Sequence, residues 1–217
     1  MSSLRLTAAL LPILVSSPAV ATTVGDPVGD ILPSFTGTGS PDLDVTSFSV
    51  DFDPNTSEFT LGASFAGPIN PALAGFYVIG VDTGTGAIAP FASIGEPNVK
   101  FDQVIIVQKN GTATVSGNPL AVDLTGNMFS LEVPLNLLPT TGADPGQYGF
   151  NIWPREGATV TGNDQITDFA PNNALLSSAP EPATWLTMIL GFGAVGGVMR
   201  FRRARRTEQK KPAALPA

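Results

Sequence analysis

The chain has 217 residues, 43% of them hydrophobic, with 11 basic and 18 acidic residues and neither cysteine nor histidine. The lack of cysteine excludes a disulfide scaffold and thiolate metal sites, and the lack of histidine excludes Ser-His-Asp and Cys-His catalysis and the common zinc sites. Sixteen of the acidic residues lie between Thr22 and Ala179, against only Lys100, Lys109 and Arg155, a formal charge of −13 that repels phosphate backbones and excludes nucleic acid as a partner of this region.

In chain order, the first element is an export signal. Arg5 makes the start positive, and Leu6 to Val15 is an apolar run too short to span a bilayer. Ser16-Ser17-Pro18 breaks the run, and Ala19 and Ala21 supply the small residues that a signal peptidase reads. The expectation is a signal peptide over residues 1–21, threaded through the Sec translocon and cleaved after Ala21.

Residues 22–41 are rich in Gly and Pro and read as an irregular lead-in, with an edge strand near Ile31. Strand patterns follow over residues 42–176. Val45 to Phe52 alternates, with Phe48, Val50 and Phe52 on one face. Asp53 to Ser57 is turn chemistry, and Glu58 to Ala66 alternates again, so the two segments form a hairpin. Gly75 to Val81 is nearly continuous apolar sequence, suited to the centre of a sheet, and Asp82 to Gly86 is a loop. Val99 to Gln108 turns through Asn110-Gly111 into Thr112 to Ser116. Leu120 to Leu124 and Met128 to Val133 form a further pair, and Tyr148 to Trp153 is a late strand. About eight short strands predict an all-β fold, a two-sheet antiparallel β-sandwich of jelly-roll or immunoglobulin-like type.

Leu138-Pro139-Thr140-Thr141-Gly142 matches the LPXTG pattern of sortase substrates. It lies far upstream of the terminal span and reads as a turn after a strand.

Residues 177–182 form a linker, and Ala183 to Met199 is an uncharged, mostly apolar stretch of about the minimum length for a membrane helix. Arg200, Arg202, Arg203, Arg205 and Arg206 follow at once and open a basic tail over residues 200–217. By the positive-inside rule this cluster stays cytoplasmic, so the body lies outside the inner membrane, in the orientation that the N-terminal signal also sets. Gly193 and Gly197 have a small-xxx-small spacing that could form a helix dimer face.

Pro180-Glu181-Pro182, then Trp185, then the span and the arginines resemble the PEP-CTERM sorting signal in its variant with Trp three residues after the second proline. The prolines keep the stretch extended, as a protease requires. The resemblance implies a Gram-negative bacterium with an exosortase, which removes the tail and passes the body from a transient membrane-anchored, periplasmic state to the cell surface or extracellular polysaccharide. More faintly, Phe76 to Thr83 and Ile166 to Asn173 resemble family 9 carbohydrate-binding modules and DOMON sandwiches. That likeness implies sugar, haem or structural calcium binding, although the haem-ligating histidine is missing. Trp153, Tyr77 and Tyr148 are the aromatic candidates for a sugar platform, and each falls in a strand that reads as core.

No pair of acids singles itself out among sixteen, so the sequence names no catalytic residue. Asp51, Asp53 and Asn55 offer oxygen ligands at alternate positions, and Asp164 and Asp168 form a second cluster; these are the residues suggested for structural calcium. The expectation is a non-enzymatic structural or adhesive protein of the surface or matrix. A module binding extracellular polysaccharide is the alternative, and a secreted carboxylate-dependent hydrolase is the second.

Overall fold

The computed structural model describes residues 21–157, 162–178 and 190–193. The chain divides into two units. Residues 19–180 form the body. The other unit joins residues 1–18 to residues 181–217, and of it only residues 190–193, which are helical, are described. The signal peptide, Pro180 to Trp185, the basic cluster and most of the terminal span therefore lie outside the described residues. Among those described, no helix is long and apolar enough to cross a membrane.

The body is all-β. Its strands are β1 (Thr22–Gly25), β2 (Val45–Asp53), β3 (Glu58–Phe65), β4 (Phe76–Asp82), β5 (Gln103–Gln108), β6 (Thr112–Val115), β7 (Asn118–Thr125), β8 (Met128–Pro134), β9 (Gly149–Arg155) and β10 (Leu176–Ser177). Every ladder between them is antiparallel, and the order is β1-β2-β3-β8-β7-β6-β5-β4-β9-β10. The meander β4 to β8 is thus set between β3 and β9.

The expected sandwich has two separate sheets, whereas the hydrogen bonding connects all ten strands into one. The reason lies in β7. Asn118 to Ala121 pair with β6, while Val122 to Thr125 pair with β8. One strand turns the corner between the halves, a device that joins packed sheet layers. The end strands β1 and β10 lie against each other, so the sheet curls into a nearly closed barrel. The edge strand expected near Ile31 is instead β1, earlier in the lead-in, paired with Ser47 to Val50 of β2. Ile31 itself is in irregular, exposed chain.

The β2–β3 hairpin forms as its alternation requires. Phe48, Val50, Phe59, Leu61 and Phe65 enter the main core, while Ser47, Ser49, Thr60, Gly62 and Ser64 face outward. Asp53 Oδ1 accepts from Asn55 N at 2.8 Å and from Asn55 Nδ2 at 2.9 Å, which closes the turn as an Asx motif. Strand β4 is buried on both faces, which explains its unbroken apolar run. Tyr77, Ile79 and Val81 point into the main core. Phe76 and Val78 join a second core with Phe91, Val99, Phe101, Trp153, Ile166 and Phe169. Burying each large side chain contributes roughly 1.5–3 kcal/mol. Gly80 is required at this face, because a Cβ there would lie 2.6 Å from the Trp153 ring.

Candidate functional site

The sides of β2, β3, β7 and β8 that point away from the core form a shallow groove lined by Ser47, Ser49, Ser64, Asp123, Thr125 and Ser130, with Met128 at its rim. Trp153, Tyr77 and Tyr148 are all buried in the cores. Among the described body residues the exposed large hydrophobics are Val28, Ile31, Leu73, Ile88 and Met128, none of them aromatic. This surface is polar and acidic, without a row of rings on which a sugar would stack.

Two acids are built into the frame. Asp102 accepts from Thr83 N (2.9 Å), Thr85 Oγ1 (2.6 Å), Ala87 N (3.0 Å) and Thr141 Oγ1 (2.8 Å). Burial opposes its ionisation, but these donors outweigh it and hold the carboxyl well below the usual range. Asp102 thereby ties the loop after β4 to Thr141 of the LPXTG-like stretch, which is a loop following β8, as its punctuation predicts. Asp42 is 1% exposed and pairs with Lys109 at 2.8 Å.

The third arrangement is a convergence of acids at the seam where the sheet nearly closes. Asp26 and Asp30 come from the loop after β1, Asp44 immediately precedes β2, and Asp168 lies in the stretch between β9 and β10. Carboxylate oxygens of Asp26, Asp30 and Asp168 all lie within 4.8 Å of one another. Asp44 is 6% exposed, Asp168 is fully buried, and Asp44 and Asp30 are near enough to repel.

Local backbone geometry positions each group. Val45 N donates to Asp168 Oδ2 at 2.9 Å and Phe169 N to Asp168 Oδ1 at 2.7 Å. Gly29 N donates to Asp44 Oδ2 at 2.9 Å. Asn172 Nδ2 reaches Asp26 Oδ1 and Asp30 Oδ2, each at 3.3 Å. The irregular lead-in is held against the stretch between β9 and β10 by Leu32 N to Thr167 O (2.8 Å) and Thr36 N to Asp164 O (3.0 Å).

Three oxygens of this cluster, Asp26 Oδ2, Asp30 Oδ1 and Asp44 Oδ1, are buried and have no hydrogen-bond partner. Burial, then the repulsion of Asp30, pushes the Asp26 carboxyl up against a side-chain hydrogen bond with Asp168; burial, then Asp26, pushes Asp168 up. Glu96 nearby is also raised by burial, while it accepts the backbone N–H of Asn173.

Of the residues suggested for calcium, only Asp168 belongs to this cluster. Asp53 and Asn55 are bonded to each other in the hairpin turn, and Asp51 lies in β2 opposite Thr60. Asp164 accepts from Thr36 Oγ1 at 3.4 Å and lies close to Arg155. Sequence reading missed Asp26, Asp30 and Asp44. The one local hint for the first two is the repeated Gly-Asp step, Gly25-Asp26 and Gly29-Asp30.

The last described strand of the body is β10, and Ser178 after it is buried, its Oγ donating to Gly146 O at 3.1 Å. From that residue onward the comparison with known families is decisive: the model of the PEP-CTERM protein-sorting motif matches residues 178–206. The chain carries a PEP-CTERM sorting motif. The motif implies export, exosortase as processing partner and sorting to the cell surface. No curated protein matches the chain.

Proposed function

We propose that this chain is an exported, non-enzymatic protein of the cell surface or extracellular matrix, whose body has a structural or adhesive role after exosortase removes the C-terminal tail. The observation that carries the reading is the PEP-CTERM match at residues 178–206, which takes up the chain from Ser178, the last described residue of the body. Within that match Pro180 to Trp185 form the segment that a processing protease would read. The signal segment over residues 1–21 and the apolar stretch over residues 183–199 supply export and a transient inner-membrane anchor. The polar, ring-free outer face favours a solvated matrix protein over a polysaccharide-binding module.

The test replaces Pro180, Glu181 and Pro182 together by alanine in a host with an exosortase. The wild-type protein recovered from the surface should start at Thr22 and lack the basic tail by mass spectrometry. The variant should stay in the membrane fraction with its tail intact. Surface protein that still extends to Ala217 overturns the sorting reading. Binding of the wild-type protein to a glycan on an array would replace the structural reading with that of a binding module.

A further inference from the structure

We propose that Asp26, Asp30, Asp44 and Asp168 bind one divalent cation of the calcium class, which latches the seam between the two ends of the sheet. The sorting reading and this one stand independently.

Asp26, Asp30 and Asp168 meet at the seam with Asp44 beside them; Asp44 and Asp168 are buried, and Asp26 and Asp30 are half-buried. Asp44, 6% exposed, has a buried oxygen with no donor, as do Asp26 and Asp30. An unsatisfied buried acceptor costs about 1–3 kcal/mol, and more when it carries charge. Three such oxygens side by side favour a ligand that takes up their lone pairs.

Protein cations are not the answer. The body has three basic side chains between Thr22 and Ala179, and each is engaged elsewhere. Lys109 pairs with Asp42 at 2.8 Å, Lys100 with Asp82 at 3.7 Å, and Arg155 donates through Nη2 to Gly162 O.

The donor set selects the ion. All the groups are hard oxygens, and the chain has no histidine or cysteine. Zinc and copper prefer nitrogen and sulfur, whereas calcium takes 6–8 oxygens at about 2.3–2.6 Å in irregular geometry. The oxygens of Asp26, Asp30 and Asp168 lie within 4.8 Å of one another and can share one ion at that radius, and Asp44 stands beside them, near enough to Asp30 to repel it. Asn172, whose amide already touches Asp26 and Asp30, can turn its oxygen to the ion, since amide orientation follows the partners present. Magnesium needs a near-ideal octahedron at about 2.0–2.1 Å, which ligands drawn from three irregular segments do not readily offer.

The position gives the ion a purpose. Asp26 follows β1, and Asp168 precedes β10, the strand that lies against β1. An ion held by both would tie together the sheet ends, whose strands β1 and β10 share no ladder.

The experiment uses the full chain in mild detergent, stripped with EDTA and titrated with calcium chloride or magnesium chloride. Heat of binding and thermal unfolding are both measured. Calcium is expected to bind with a stoichiometry of one and to raise the melting temperature. At a hundred times its Kd it should shift the folding equilibrium about a hundredfold. Asp44→Asn and Asp30→Asn should abolish the response. Both should melt above the wild type in EDTA, where one repelling charge has gone, and below it in calcium. Asp51→Asn should respond as the wild type does. No heat and no melting shift with calcium overturn the proposal, as do variants at Asp44 and Asp30 that keep the full response. An equal response to magnesium overturns the calcium assignment. Should Asp44→Asn fail to fold, Asp30→Asn decides, because Asp30 is the more exposed of the two.

Discussion

Replacing Lys109 by Met should destabilise the body by about 3–5 kcal/mol. The Lys109 and Asp42 side chains are 3% and 1% exposed, and their charged atoms are 2.8 Å apart. Asp42 also accepts from Ser40 Oγ and from Asn70 N at 3.0 Å, and Lys109 Nζ donates to Ala74 O at 3.0 Å. Methionine keeps the volume and apolar stem of lysine, so packing is largely preserved while the countercharge goes. Asp42 then remains ionised and buried with two neutral donors, and Ala74 O loses its donor. Removing one partner of a buried pair costs roughly 3–5 kcal/mol. The double variant Asp42→Asn with Lys109→Met should recover most of that loss, because the stranded charge is gone. With a urea dependence of about 2 kcal/mol per molar, the single variant should lower the unfolding midpoint by roughly 1.5–2.5 M. Fluorescence of Trp153, buried in the second core, follows the transition.

The pH dependence gives an independent check. Burial works to raise the Asp42 carboxyl, but hydrogen bonds from Lys109, Ser40 and Asn70 outweigh it and hold the carboxyl below the usual value. In the wild type this contribution is complete above the unfolded value of about 4 and is lost as pH falls through the folded one. In the Lys109→Met variant burial is no longer offset, the sign reverses, and the deficit should narrow as pH falls toward 4. A midpoint shift under about 0.5 M, or a double variant no more stable than the single one, would refute the reasoning.

Asp102→Asn should cost about 1.5–3 kcal/mol near neutral pH, since Thr85, Thr141 and the backbone lose a charged acceptor. The wild type should lose this advantage as pH drops below about 4 toward the depressed folded value, so the two melting curves should converge in acid. Tyr77→Phe and Tyr148→Phe should differ in effect although both rings are buried. Tyr148 Oη donates to Leu138 O at 3.1 Å, so its loss costs about 1 kcal/mol, whereas Tyr77 Oη has no partner, and its removal should be neutral or stabilising in urea titration. Gly80→Ala should destabilise by about 1–3 kcal/mol through overpacking against Trp153, with a visible change in near-ultraviolet circular dichroism.

The strands legible in the sequence are those whose burial is one-sided or continuous over a short run. β2 and β3 show a period of two because one face meets the core and the other meets water. The Asn-Gly step places the β5–β6 turn because it tolerates the required backbone. β1 and β10 were not legible: four and two residues long, they are defined by pairing with distant strands rather than by any pattern of their own. β7 reads as an ordinary strand, and nothing local says that its two halves pair with different neighbours.

The acid cluster shows the same division. Asp168 stands in a segment already marked by its resemblance and by the nearby Asp164, while Asp26 and Asp30 look like any other acids of a Gly/Pro-rich lead-in and Asp44 like any acid before a strand. What the sequence by itself determined is address and charge. Hydropathy, the order of the Pro-Glu-Pro motif, the span and the arginines, and the segregation of acids into the body are all local properties of the chain. Only the tertiary structure decided that one sheet curls until its ends meet and that three carboxylates converge at that seam beside a fourth. Residues 26 and 168 come together through the winding of ten strands, so the electrostatic character of the site belongs to the fold and to no single segment.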